Sequence, residues 1–321
     1  MQSIFSAMNP REYKKMQRKK TWKKAWNMRL LYIMIFVGFA YFIIFRYATI
    51  YGLLIAFKKY KAKLGIMGSE WVGLDNFRKV FKGKDIWRVF GNTITISFWK
   101  LILGFPAPII LAILLNEIRG KRFKKGVSSI LYMPHFLSWT VFGGILFNLF
   151  SSTTGSIPRF VLNNFGVQMP SLITDPQYAR GFLYATNIWK NVGWDTIIYT
   201  AAIAGIDQEL YEAAIVDGAN HWQEIWHVTL PGISVTIATL LVLNVGSIMS
   251  AGFDQIFNLH YEMNTAKSSV DILDTYVYEL GIKTGKMEYA TVIGITKSII
   301  NCMLLFTANK AAGKITGDSP L

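Results

Sequence analysis

The chain has 321 residues, 52% of them hydrophobic, and only 17% are charged, against about a quarter in soluble domains. Its net charge is +15, from 34 lysines and arginines against 19 acids. The apolar residues fall in long blocks, which excludes a soluble globular protein, and the lone Cys302 excludes an intramolecular disulfide or a thiolate metal cluster.

Nine basic residues lie from Arg11 to Arg29, with only Glu12 opposing them. Placed directly before an apolar block, they read as a cytoplasmic anchor rather than a nucleic-acid arm. The apolar stretch that follows is too long for a signal peptide and lacks a small-residue cleavage site, so it is expected to remain as the first spanning helix. A span needs about 20 apolar residues to cross roughly 30 Å of hydrocarbon. Six segments qualify: 30–50, 92–116, 127–150, 183–206, 234–253 and 290–308. The expected organisation is a basic segment 1–29, an all-α, six-span integral membrane domain 30–308, and a tail 309–321.

Orientation follows the lysines and arginines of short loops. The basic N-terminus belongs inside, and so does the ten-residue loop 117–126 with Arg119, Lys121, Arg122, Lys124 and Lys125. An even number of spans then puts the tail, with Lys310 and Lys314, in the cytoplasm too. The outer loop 51–91 carries nine basic residues, which its length excuses. Within it, Trp71 to Phe77 precedes Phe77, Val80, Phe81 and Phe90 at near-helical spacing, which predicts an interfacial helix on the outer leaflet.

The loop 207–233 has no lysine or arginine and five acids: Asp207, Glu209, Glu212, Asp217 and Glu224. For an inward-facing loop this calls for an interaction surface. Residues 209–216 can form two helical turns ended at Gly218, which tolerates the left-handed geometry of a helix stop. Asn220 can cap a second helix with Trp222, Ile225 and Trp226 on one face, and Pro231 stops it. The result is a stiff, bent knob tethered to two spans. The spacing of His221, Glu224 and His227 is not that of the HExxH metal motif, and all three lie within the second helix of the knob.

Glu212-Ala213-Ala214, Asp217-Gly218 and, nine residues on, Val228-Thr229-Leu230-Pro231 resemble the EAA loop of ABC importer permeases. The fuller string Tyr211 to Ala219 resembles the carbohydrate-uptake branch, as do Trp71 to Phe77, Asn92-Thr93, Tyr132-Met133-Pro134 and Asp271 to Tyr278. The run Tyr51 to Phe57 looks most like permeases for complex oligosaccharides. The resemblance implies the ABC importer permease fold and a coupling helix seated in a separate ATPase subunit. Glu212 would be the polar anchor, Gly218 the bend, and Trp222 and Trp226 the apolar contacts. It implies partners as well: a second, related permease, an ATPase dimer carrying ATP and Mg, and an extracellular solute-binding protein. The chain itself has no G-x-x-x-x-G-K-[ST] phosphate loop, so no cofactor is expected on it.

Ionisable residues inside spans point to function. Arg46 can snorkel from the outer end of the first span. Lys100, Lys190 with Asp195, and Lys297 lie in the second, fourth and sixth. Two readings stand: Lys190 pairs with Asp195 or a carbonyl as helix glue, or Lys100, Lys190 and Lys297 line a cavity suited to an acidic, uronate-containing oligosaccharide. Trp99, Trp139, Trp189 and Trp194 could stack on sugar faces or belong to the membrane interface. A secondary transporter or channel is the rival, but the paired broken helices with intramembrane acids that it often shows are not visible. A membrane enzyme would need a cluster of carboxylates, and none stands out.

Overall fold

The structure, a computed structural model, describes residues 21–24, 26–152, 154–261 and 266–316. Most of the basic segment 1–29 and the end of the tail 309–321 lie outside the described residues. Two compact units are present, Met1–Ile55 with Lys61–Ser69, and Ala56–Tyr60 with Glu70–Leu321. In the first, α1 (Arg29–Phe42) passes into a π turn (Ile43–Tyr47) and then into a 3-10 stretch (Ala48–Phe57) whose last two residues belong to the second unit. None of the side chains of α1 is buried.

The second unit opens with an antiparallel pair, β1 (Lys58–Lys59) against β2 (Glu70–Trp71). Buried Asn76, in α2 (Asp75–Lys82), donates to the carbonyls of Ala56 and Lys58 at 2.9 Å each. Trp71 stacks on Phe57 with ring centroids 5.6 Å apart. The stretch Trp71 to Phe77 therefore builds this turn. The apolar face predicted to lie on the outer leaflet is instead turned inward. Val80, Phe81 and Phe90 pack on a core of Ile86, Val89, Met249, Leu273 and Ile293, because the last helix covers them.

A 33-residue helical run, Lys84–Asn116, combines α3 (Lys84–Gly104) and α4 (Pro106–Asn116). Pro106 sits in the first turn of α4, where a missing N–H is tolerated. The predicted span 127–150 is not straight. Here α5 (Lys121–Tyr132) ends in a 3-10 turn (Met133–Phe136), and α6 (Trp139–Phe150) departs from it at 99°. Ser138 starts α6 by accepting a hydrogen bond from the Val141 N–H.

The long α7 (Pro176–Ala204) begins on an Asp175 cap. The loop 207–233 then holds α8 (Gln208–Val216) and α9 (His221–Glu224), and the second of these continues through a π turn to Gly232, one residue past Pro231. After a 60° bend comes α10 (Ser234–Gly246). The predicted span 234–253 is thus too long: α10 stops at Gly246, and the chain turns through 247–252 before helix resumes at Phe253. Beyond several short turns lie α11 (Leu273–Tyr278) and α12 (Met287–Thr316).

Among the described residues, three helices are long and apolar enough to cross a membrane alone, and up to five crossings result if each bent pair counts as one. At 29 residues α7 has the length, but polar side chains hold it outside that apolar class. Two further cores flank α7. One gathers Ile96, Phe142, Leu146, Leu183, Ile256 and Ile272, the other Ala112, Tyr199, Ile203 and Ile233.

Candidate functional site

Between α3, α7 and α10 lies a cavity of about 300 Å³. Asn187, Asn191 and Asp195 recur at four-residue steps along α7 and so share one face of the helix. Ser97 and Lys100 face the cavity from α3, and Asn244, Ser247 and Ser250 from the end of α10 and the turn beyond it. Leu101, Phe105, Ile188, Val192 and Leu240 supply the apolar part of the wall. Ser97 Oγ is buried here without a hydrogen-bond partner.

The intramembrane residues expected to share one pathway divide into three groups. Lys100 and Asp195 line the cavity. Lys297 does not: it pairs with Asp274 and borders a separate apolar pocket with Phe81, Trp87 and Phe90. Lys190 is also absent from the cavity wall. It is 4% exposed and donates to the carbonyls of His135 (2.8 Å) and Pro134 (3.3 Å), rather than pairing with Asp195. Trp139 lies 5.4 Å beneath its ammonium, and Trp194 stacks on His135 at 4.6 Å.

Lys100 has a similar task at the other break. Its ammonium donates to the Ala251 carbonyl at 2.7 Å and to Gln255 Oε1, and Gln255 in turn donates to the Leu183 carbonyl and Thr186 Oγ1 of α7. Gly252 passes beneath Lys100 with φ +94°, a left-handed conformation in which a Cβ would crowd the ammonium. Each lysine thus satisfies carbonyls released where a membrane helix is interrupted, which is the condition for irregular backbone at that depth. The asparagines were not singled out from the sequence. Their four-residue spacing ahead of Asp195, which puts all three on one face of α7, was the available signal.

The loop 207–233 forms the expected bent knob. Asp207 caps α8 by accepting from the Glu209 N–H. Gly218 ends α8 at φ +80°, and Asn220 with Gln223 forms a reciprocal capping box on α9. Tyr211 and Thr229 hydroxyls, 3.0 Å apart, tie the two helices together. Glu212, Ala213 and Asp217 are exposed, as are Trp222 (71%) and Trp226 (65%). Ala214 and Leu230 are half-buried, while Pro231 and Gly218 are exposed. Ile225 does not join the tryptophans: it is buried, so the boundary of the knob runs between them. His221 reaches back to Glu117, Nε2 to Oε2 at 3.0 Å.

A part-polar cavity between three helices, in a chain with helices long and apolar enough to cross a membrane, fits a membrane transport protein. The family described as "Binding-protein-dependent transport system inner membrane component" matches residues 104–257. Protein LplB of Bacillus subtilis (strain 168) is 43% identical over 88% of both chains. The polygalacturonan/rhamnogalacturonan transport system permease protein YteP of the same organism is 38% identical over 94% of this chain and 93% of its own. The crystal structure of a bacterial alginate ABC transporter, in complex with an alginate pentasaccharide-bound periplasmic protein, contains a chain with a TM-score of 0.84 and 36% identity. The match covers 93% of this chain and 99% of that one. The chain belongs to the carbohydrate-uptake permeases of ABC importers, predominantly helical multi-pass proteins of the cell membrane.

Proposed function

We propose that this permease forms the translocation path for acidic oligosaccharides and couples it to a separate ATPase through the loop 207–233. The carrying observation is the cavity wall, in which Lys100 supplies a cation amid the amides of Asn187, Asn191 and Asn244. An ammonium has three N–H donors, and two of those on Lys100 are engaged by Ala251 and Gln255. The third is available to a cargo carboxylate. The named cargoes of YteP and of the alginate transporter support the same chemistry. Replacing Lys100 with Gln is expected to impair uptake of uronate-containing oligosaccharides about tenfold or more relative to neutral ones, the scale of one lost charge-assisted hydrogen bond. Equal loss for both classes in a reconstituted transport assay would sink the acidic-cargo reading.

In this reading the chain crosses the membrane six times, with both termini and the knob in the cytoplasm. As the fourth span, α7 is less apolar than its neighbours because one of its faces lines the cavity. The partners are a second, paralogous permease, an ATPase dimer that holds ATP and Mg, and an extracellular solute-binding protein. The permease carries out no covalent chemistry. Closure of the ATPases displaces the knob, with Glu212 as polar anchor and Trp222 and Trp226 as apolar contacts, and the spans open outward to receive sugar. Glu212→Lys and Gly218→Pro should each insert normally yet uncouple hydrolysis from uptake; normal sugar-stimulated ATPase activity in both argues against docking.

A further inference from the structure

The 99° bend between α5 and α6 releases carbonyls that a continuous helix would have satisfied. Lys190 donates to the carbonyl of His135 and to that of Pro134, which also accepts from the Leu137 N–H, and its ammonium lies 5.4 Å from the Trp139 ring and 6.0 Å from Phe142. One cation therefore grips the end of the first arm and the start of the second. Three residues on, Gly193 passes so near the Leu131 carbonyl that a Cβ would overlap it. His135 completes the seat, stacking on Trp194 with Nδ1 3.2 Å from Asn191 Oδ1. Asn191 lines the cavity.

The knob reaches this seat by two routes. One is covalent: α7 ends at Ala204, and Asp207 caps α8 directly after it. The other leaves from α9, where His221 pairs with Glu117 at 3.0 Å, just ahead of α5. The routes diverge from the two helices of the knob and converge at Lys190.

We propose that Lys190 is a positioning residue that locks α7 and the α5–α6 bend into one rigid body, so that displacement of the knob reaches the cavity wall along both routes together. An apolar side chain could fill the same space. Only a donor can hold the angle by satisfying the His135 carbonyl as well. The inference rests on the coupling role of the loop.

The test uses the assembled transporter with Cys302 replaced by Ser and spin labels at Ile130 on α5 and Ala201 on α7, both exposed. The interlabel distance is expected to be the same in the nucleotide-free and ATP-bound states. In Lys190→Met it should broaden or shift with nucleotide, and sugar moved per ATP should fall about fivefold or more, with Lys190→Arg restoring most of it. A nucleotide-driven change of the distance in the Lys190 protein overturns the proposal, as does wild-type stoichiometry in Lys190→Met. If Lys190→Met fails to assemble, Glu117→Ala removes the acceptor of His221, severs the second route at the surface and should lower sugar per ATP about twofold or more; an unchanged ratio counts against the lock. Failure of docking itself reads out separately, as normal coupling in Glu212→Lys with the interlabel distance still constant.

Discussion

Asp271, outside the spans, shows how closely single residues are constrained on the side of the protein where α3, α7 and α11 meet. Its carbonyl accepts from Asn92 at 3.0 Å, Thr275 donates to its Oδ1, and its buried Oδ2 makes no hydrogen bond, with the Arg88 guanidinium 3.5 Å away. Arg180 joins the knot, donating to Asn92 Oδ1 and to the Ser269 carbonyl. Burial pushes the Asp271 carboxyl above its usual 3.8, opposed in part by the Thr275 hydroxyl and Arg88. The folded state therefore holds this proton more tightly than the unfolded chain. The stabilisation is complete below 3.8 and is lost as pH rises through the raised value. Asp271→Asn keeps the neutral form at every pH. Its melting temperature should gain on the wild type as pH rises through that window, and a pH-independent difference would contradict the assignment. The sequence placed Asp271 and Asn92 within a family resemblance. That they touch was not legible, because the contact joins residues 179 apart.

Helices show the same division. The spacing from Glu212 to Pro231 is local, so the knob was readable: a cap at Asn220, a left-handed Gly218 and a proline near its end are decided by neighbours a few residues away. Asn220→Ala is expected to cost about 1 kcal/mol of helix start, removing the half of the capping box in which the Asn220 side chain accepts from the Gln223 N–H. Hydrogen exchange at residues 221–224 should then quicken about fivefold; unchanged protection would mean that packing, not the cap, holds α9. The bent pair α5–α6 and the early end of α10 were not readable. Hydropathy sees one apolar run in each case. The breaks survive because Lys190 and Lys100 arrive from other helices to satisfy the freed carbonyls, with Asn301 accepting the Met249 N–H at 3.1 Å.

Across the whole molecule, large apolar side chains remain exposed, among them Leu30, Met34 and Phe36 on α1 and Phe306 on α12. Only lipid or other chains can remove such surface from water. The exposed tryptophans of the knob lie beside acids and no lysine or arginine, which calls for a partner surface that is basic around an apolar cleft. Purified in detergent after coexpression with candidate subunits, the chain is expected to bring down a soluble ATPase and a second, different permease. Glu212→Lys should lose the ATPase while retaining the permease. Recovery as a lone chain, or as a pair of identical permeases, would refute this assembly.

Composition, block length and the spacing of one acidic loop determined the membrane class, the number of apolar blocks and the knob, since each rests on residues adjacent in the chain. Tertiary structure alone decided where the helices break, which lysine faces the cavity and which are consumed in holding the fold. The reason is hydrogen-bond satisfaction in a medium without water: the donors that close those breaks lie 55 and 151 residues from their acceptors, a separation that no local pattern encodes.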